Sequence, residues 1–202
     1  LLRLLATHND PNKREAVFVA LKNQSPLVRS AAASSLMGLT DQASKTELLE
    51  AAKDEYLVVR LAAAVSLSIF PTQNFTPEEL TLFTKVTNEY TNSLITRPDD
   101  WSAHYNLGNH YQNLGQTDQA IQSYETSSII YPEAILPLVN SSFLLSVTGN
   151  PTQAEEKLVK ALQLDPMNEA VNFNYGLLMA EMKKMDQAEK ALRNVIEVNK
   201  NN

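Results

Sequence analysis

Apolar and small residues in the second half of the chain recur at one constant spacing, the distance from Ala120 to Ala154 and from Ala154 to Ala188. We call this spacing the long period; it also relates Tyr124, Leu158 and Leu192. Each copy contains two short amphipathic stretches around a turn, with small residues where two helices must approach closely and larger ones that fill the gaps. This regular spacing of helix pairs predicts a stack of repeats.

Turn and stop signals mark the boundaries of these copies. The segments NLGQTDQA and VTGNPTQA predict the turns between paired helices, with Asp118 or Thr152 as the cap of the second helix. Pro132 and Pro166 close the first two copies, because the residue before a proline resists helix. In the third copy, Lys183 stands at the glycine position of the turn.

A second spacing, which we call the short period, occupies the start of the chain. It relates Val28 to Val59, Arg29 to Arg60, Leu36 to Leu67, and Val17 to Leu48. We expect the two arginines to bond acids or helix ends within the stack rather than an anionic ligand. The same shift from Leu36 leads to Leu5, so the chain is predicted to begin partway through a repeat helix. It also ends at IEVNKNN without a polar capping helix, which predicts a piece of a longer protein.

The stretch TPEELTLFTKVTNEYTNSLITRP lies between the two repeat regions and predicts one helix without a partner, over residues 76–98. Thr76 and Glu79 form a capping box, and Pro77 occupies the first helical position. We expect this helix to cap the first array and to join it to the second.

Residues 101–202 resemble the tetratricopeptide repeat (TPR) in segments such as NLGNHYQNLG, QAIQSYETSSIIYP and AEEKLVKALQLDP. Residues 1–70 resemble HEAT-like repeats through their Val-Arg, Ala-Ala and Leu spacing. The resemblance implies an all-α fold, a right-handed helical-repeat solenoid with TPRs at 101–134, 135–168 and 169–202. Departures from the TPR pattern are Ser141, Ser142, Lys183 and Lys200.

The net charge of −6 lies entirely in the second half, where residues 99–202 carry seven Lys and Arg against thirteen Asp and Glu. An acidic half without a basic stripe argues against nucleic acid or an anionic membrane as the ligand. No apolar run reaches the roughly 18 to 20 residues of a membrane helix, so we expect no membrane insertion. The absence of cysteine excludes disulfides and suits either a cytoplasmic or a periplasmic protein.

The sequence shows no arrangement typical of an enzyme. The three histidines are His8, His104 and His110, and the last two point in different directions on a helix because of their separation along it. Neither a G-x-S-x-G motif nor a phosphate-binding loop occurs. We therefore expect no catalytic residue, no metal and no cofactor.

By resemblance to the TPR family, the first helix of each repeat lines a concave groove. The groove residues implied are Tyr105, Asn106, Asn109, Asn140, Phe143, Phe173, Asn174 and Leu177. Asn106, Asn140 and Asn174 are related by the long period, and such a row of amides would hold the backbone of an extended peptide. The alternative is that each amide bonds within its own repeat. The groove lacks the basic residues with which TPR clamps hold an acidic chaperone tail, so that ligand is not expected.

The predicted function is a non-catalytic protein–protein interaction scaffold, whose partner is a protein or peptide with apolar side chains. Two alternatives remain open. The chain would also suit an assembly or regulatory module of a larger bacterial enzyme, for example the C-terminal repeat region of a multihaem cytochrome. Alternatively, it would be a structural piece that self-associates through its uncapped ends.

Overall fold

The computed structural model describes residues 11–200 of the chain, and Leu5 and His8 of the sequence predictions lie outside them. Within the described residues there are eleven α-helices, one short 3-10 helix and no strand, which confirms the predicted all-α fold. The chain divides into two compact units, Leu1–Thr96 and Arg97–Asn202.

The short period of the first unit is confirmed as a spacing of buried positions. The helices of this unit are α1 (Pro11–Ala20), α2 (Pro26–Ser35), α3 (Gln42–Ala51), α4 (Leu57–Leu67), a 3-10 turn (Thr72–Asn74) and α5 (Pro77–Ile95). The equivalent buried residues are Val17 and Leu48, Ala32 and Ala63, Ala33 and Ala64, and Leu36 and Leu67. Because alanines occupy the facing turns of α2 and α4, these helices pack closely against each other.

Arg29 and Arg60 have the structural role that the sequence predicts. The guanidinium of Arg29 donates to both carboxylate oxygens of Asp54, at 2.6 and 3.0 Å, and to backbone carbonyls of the preceding loop. Arg60 donates to Glu89 at 2.7 Å and to the carbonyl of Asp54 at 2.9 Å. Each arginine therefore ties the start of its helix to a later segment of the same unit, and hydrogen bonding to Arg29 lowers the pKa of Asp54.

The start of α5 is fixed by the predicted capping box and by Lys45, for which the sequence predicted no role. The Thr76 hydroxyl accepts from the Glu79 N–H, and the Glu79 carboxylate accepts from the Thr76 N–H. Lys45, with only 4% of its side chain exposed, donates to the same carboxylate at 2.7 Å and to the carbonyl of Asn74. This pair of a buried lysine and a partly exposed glutamate links α3 to α5, and the hydrogen bond from Lys45 lowers the pKa of Glu79.

The second unit contains three consecutive helix pairs. They are α6 (Trp101–Asn113) with α7 (Thr117–Ile130), α8 (Ile135–Val147) with α9 (Pro151–Leu164), and α10 (Glu169–Glu181) with α11 (Met185–Lys200). Each second helix also packs on the first helix of the next pair, α7 on α8 and α9 on α10. The alanines related by the long period are buried in all three pairs, as the predicted repeat requires.

Glycine allows the close approach within the first and third pairs. A Cβ at Gly108 would lie 2.5 Å from two ring carbons of Tyr124, and a Cβ at Gly176 would lie 2.8 Å from the Leu192 side chain. In the second pair, Ser142 occupies the same position and is buried. Its hydroxyl donates to the carbonyl of Val139 on its own helix, so the departure from the TPR pattern leaves α8 continuous.

The turns inside the three pairs share one conformation. A residue with positive φ follows each first helix, at Gly115 (70°), Gly149 (83°) and Lys183 (60°). The next N–H then donates to a carbonyl of the last helical turn, at 2.8 Å in each of the pairs Gln116 to Tyr111, Asn150 to Leu145 and Lys184 to Met179.

The predicted capping role of Asp118 and Thr152 is wrong. Both residues stand at the second position inside their helices, too late to cap them. The N-cap residues are instead Gln116 and Asn150, and neither makes a side-chain cap bond among the described residues.

We expect Lys183→Gly to raise the free energy of unfolding by about 1 kcal/mol, because glycine adopts a positive φ without the steric cost that a Cβ imposes. Urea unfolding followed by circular dichroism measures this change. Lys190→Gly, inside α11, is the control and should lower stability by about 1 kcal/mol. Equal effects at the two positions would contradict the role of the turn.

Candidate functional site: the face of the first helices

The first helices of the three pairs, α6, α8 and α10, present a common face. Neighbouring first helices are connected by hydrogen bonds, from Asn140 to Asn109 at 3.0 Å and from Ser146 to Glu181 at 3.2 Å. We call this surface the first-helix face; it comprises Tyr105, Asn106, Asn109, Leu136, Asn140, Phe143, Val147, Phe173, Asn174, Leu177 and Glu181. All eight sequence-predicted groove residues lie on these helices.

One part of the face is apolar and open to solvent. Five large side chains on α8 and α10 are about half exposed: Leu136 (53%), Phe143 (50%), Val147 (63%), Phe173 (47%) and Leu177 (45%). We call these five residues the apolar patch. The opposite sides of the same helices are held in the core through Leu138, Leu145, Val171 and Leu178, which fixes the direction of the patch. A group of exposed large apolar residues indicates a surface that binds another molecule.

The other part of the face is polar and contains a hydrogen-bonded network. The Tyr124 hydroxyl lies 2.7 Å from both the Asn109 Oδ1 and the Gln112 Oε1. The Asn140 Nδ2 lies 3.0 Å from the Asn109 Oδ1 and 3.4 Å from the hydroxyls of Tyr105 and Tyr124. The network therefore joins both helices of the first pair to the first helix of the second pair.

Tyr124 anchors this network from the core. Its side chain is fully buried and its ring lies against Gly108, while the ring of Tyr105 is tilted over it at 5.9 Å between centroids. Burial raises the pKa of Tyr124 to about 12, so the hydroxyl stays protonated and able to donate. The sequence predicted Tyr124 as a packing residue, but it held no signal for the amides that converge on its hydroxyl.

The three asparagines related by the long period have different surroundings. Asn106 is exposed. The Nδ2 of Asn140 is engaged in the network, and the Nδ2 of Asn174 donates to the carbonyl of Ala170 on its own helix at 2.7 Å. Their amide donors are thus used within the chain at two of the three positions. A ligand-binding role for this row stays a prediction, and the alternative of bonding within the repeat matches Asn174.

Other polar residues of α6 serve packing. Only 2% of His110 is exposed, and burial lowers the pKa of its imidazole to about 4. Trp101 packs against Tyr131 at 5.3 Å between ring centroids, and its carbonyl accepts from Ser127. Among the described residues, no group of three or more His, Cys, Asp or Glu side chains could hold a metal ion, and no helix is long and apolar enough to cross a bilayer.

The sequence matches two families of helical repeats. A profile described as HEAT repeats matches residues 1–68, and two profiles described as tetratricopeptide repeat match residues 101–134 and 148–202. The two tetratricopeptide matches leave between them residues 135–147, the span of α8, in which Ser141 and Ser142 depart from the family pattern.

Individual relatives are distant. The human protein O-mannosyl-transferase TMTC3 is 25% identical over 122 residues, which covers 52% of this chain but only 13% of that protein. Among solved structures, MamA from Desulfovibrio magneticus RS-1 (from residue 41 to the end) has a TM-score of 0.54 at 16% identity, with 99% of this chain and 96% of that chain covered. A MamA structure designated MSR-1 has a TM-score of 0.56 at 15% identity, with 94% and 96% covered. This likeness shows a shared helical-repeat fold.

We expect Tyr124→Phe to lower the free energy of unfolding by about 1 to 3 kcal/mol, because it removes the hydroxyl between partly buried amides. Tyr131→Phe is the matched control, since the Tyr131 hydroxyl is 3.4 Å from Glu133 at an exposed site and its loss should change stability by less than about 0.5 kcal/mol. Urea unfolding of both variants measures the difference. A neutral Tyr124→Phe would show that the network contributes no stability.

We also expect the free energy of unfolding to decrease as the pH is lowered from about 6.5 to about 4. In this range the unfolded chain protonates His110 while the folded chain keeps it neutral, so each pH unit removes up to about 1.4 kcal/mol. His110→Leu should remove this component, and urea unfolding at several pH values compares the two slopes. Parallel slopes for the variant and the unchanged protein would contradict the burial of a neutral imidazole.

Proposed function

We propose that this chain, whose sequence matches tetratricopeptide repeats and, in its N-terminal part, HEAT repeats, is a non-catalytic scaffold that binds a protein segment on the first-helix face. Repeats of both kinds support a protein-interaction scaffold. The observation that carries the finer proposal is the apolar patch, five large side chains that stay about half exposed on two adjacent first helices.

The apolar patch has an energetic reason to take a partner. Covering a half-exposed Leu, Val or Phe side chain is worth roughly 1 kcal/mol, so the five together are worth about 5 kcal/mol. The loss of translational and rotational freedom on association costs a comparable amount. Apolar contact alone therefore supports only weak binding, and a partner must add polar contacts.

Polar contacts are available beside the patch. Asn106 is exposed and offers both a donor and an acceptor. The Oδ1 of Asn140 accepts none of the hydrogen bonds of the network, so it suits an N–H of a bound segment. Each such bond contributes about 0.5 to 1.5 kcal/mol net. A segment that crosses from α6 to α10 would combine these bonds with the apolar contacts.

The transferase activity named for TMTC3 belongs to a protein of which this chain matches 13%, so it is not proposed here. The polar groups of the first-helix face are mostly amides, with one phenol at Tyr105 and one carboxylate at Glu181. Amides and phenols donate and accept hydrogen bonds without exchanging protons near neutral pH, which suits binding rather than acid–base chemistry.

We expect Phe143→Glu combined with Phe173→Glu to weaken partner binding at least about tenfold while it changes stability by less than about 1 kcal/mol. Both side chains are half exposed, so two charges there disrupt a docked apolar surface without entering the core. Pull-downs of cell extract with unchanged and variant protein, read by mass spectrometry, measure retention of partners. Circular dichroism and thermal melting measure the fold.

The matched control is Ile129→Glu combined with Ile196→Glu, which adds the same charges at exposed apolar positions of second helices. It should retain every partner that the unchanged protein retains. Loss of the same partners in both variants would mean that added charge alone is responsible. If the Phe143 and Phe173 variant unfolds, these residues belong to the core and the proposed surface is wrong.

A further inference from the structure

We propose that the segment bound on the first-helix face carries Lys or Arg beside its apolar residues and no carboxylate against the patch. This inference rests on the proposed function and adds the charge of the partner to it. It follows from the distribution of charged residues over the six helices of the second unit.

Basic residues are segregated away from the first helices. Across their full length, α6, α8 and α10 contain no Lys or Arg, and α8 contains no charged residue at all. The Lys and Arg residues of the three helix pairs lie instead on the second helices and in the turn between α10 and α11: Lys157, Lys160, Lys183, Lys184, Lys190, Arg193 and Lys200. The first-helix face therefore has no Lys or Arg with which to neutralise an acidic ligand.

The charges that the first helices do carry are negative. They are Glu169 and Glu181, at the two ends of α10. Glu181 is the equivalent of Val147 one long period later, so a carboxylate replaces an apolar side chain at one edge of the apolar patch. The patch therefore ends at an acidic residue.

Glu181 is placed to receive a cation. Its carboxylate is exposed and accepts a hydrogen bond from the Ser146 hydroxyl at 3.2 Å, which holds it between α8 and α10. Within the described part of the chain, no Lys, Arg or His forms an ion pair with it. A Lys or Arg of a segment lying on the patch would reach it, since the long side chain packs its methylenes on apolar surface and extends its charge beyond it.

The net charge of the unit favours the same partner. Residues 97–202 contain eight Lys and Arg against thirteen Asp and Glu, a balance of −5. This field attracts basic segments and repels acidic ones during approach. The close contact at Glu181 and the long-range field thus select the same sign of charge.

The size of the segment follows from helix spacing. Neighbouring packed helices lie about 8 to 10 Å apart, and an extended chain advances about 3.3 Å per residue. A segment that spans α6 to α10 therefore needs about six residues, and a library of peptides about twice that length contains the whole recognition element.

The test is a selection of random peptides of this length, displayed on phage, against the full chain. Counter-selection on a Phe143→Ser, Phe173→Ser protein, which removes apolar surface without adding charge, removes peptides that bind elsewhere. We expect the remaining peptides to combine aromatic or aliphatic residues with Lys or Arg, enriched at least about threefold over Asp and Glu relative to the starting library. Enrichment of acidic or uncharged peptides would overturn the inference while leaving the proposed function intact. If no peptide requires the apolar patch, the proposed function fails and the inference fails with it.

A synthetic copy of the most enriched peptide then tests the contact at Glu181. We expect Glu181→Gln to weaken its binding about threefold to tenfold and Glu181→Lys to weaken it further, as measured by fluorescence anisotropy. Glu156→Gln, an equal change of charge on α9, is the control and should weaken binding less than about twofold. Equal effects of the two Gln variants would assign the charge preference to the general field and overturn the direct contact.

Discussion

Close approach between paired helices holds the second unit together, and it requires positions that carry almost no side chain. Gly108 lies so near the ring of Tyr124, and Gly176 so near Leu192, that a single added carbon would overlap its neighbour. Buried alanines on the second helices extend this contact along each pair. The core already takes one side of α8 and α10 through Leu138 and Leu178, and the large side chains of the apolar patch lie on the other side of the same helices.

Both units use ion pairs between helices, including Lys157 with Glu125 in the second unit, but the second unit adds a neutral network. In the first unit, Arg29 and Arg60 join successive helices through charge-assisted bonds to acids and to loop carbonyls, and Lys45 does the same for α5. In the second unit the network of amides and phenols around Tyr124 and Asn140 makes neutral connections. The charged pairs of the first unit are mostly shielded from solvent, and salt screens such pairs much less than exposed ones, so ionic strength should change these connections only modestly.

The repeats and their buried positions could be predicted from sequence because spacing alone determines which residues face inward. The short and long periods predicted the buried alanines and leucines. The capping box at Thr76 could also be predicted, because its two residues are close in the chain. The network around Tyr124 could not be predicted from the sequence, because its amides come from more than one helix and only the fold brings them together. Lys45 was missed for the same reason, because its partner Glu79 is distant in the chain. Asp118 and Thr152 were wrongly predicted as N-caps, because sequence signals do not fix the exact residue at which a helix begins.

The position of Asn140 couples the binding of a ligand on the first-helix face to the contact between the first two repeats. Its amide nitrogen bonds the first repeat, while its carbonyl oxygen accepts none of those bonds. The amide nitrogen has only two N–H donors, so a ligand that accepts from it competes with Asn109 or with the hydroxyls of Tyr105 and Tyr124 and weakens part of the contact between repeats. A ligand that uses only the oxygen would leave this contact intact and would polarise the amide in its favour. The geometry of one side chain thereby decides whether occupancy of the face loosens or tightens the joint between two repeats, and by linkage any change that loosens this joint alters affinity in the opposite sense for the two kinds of ligand.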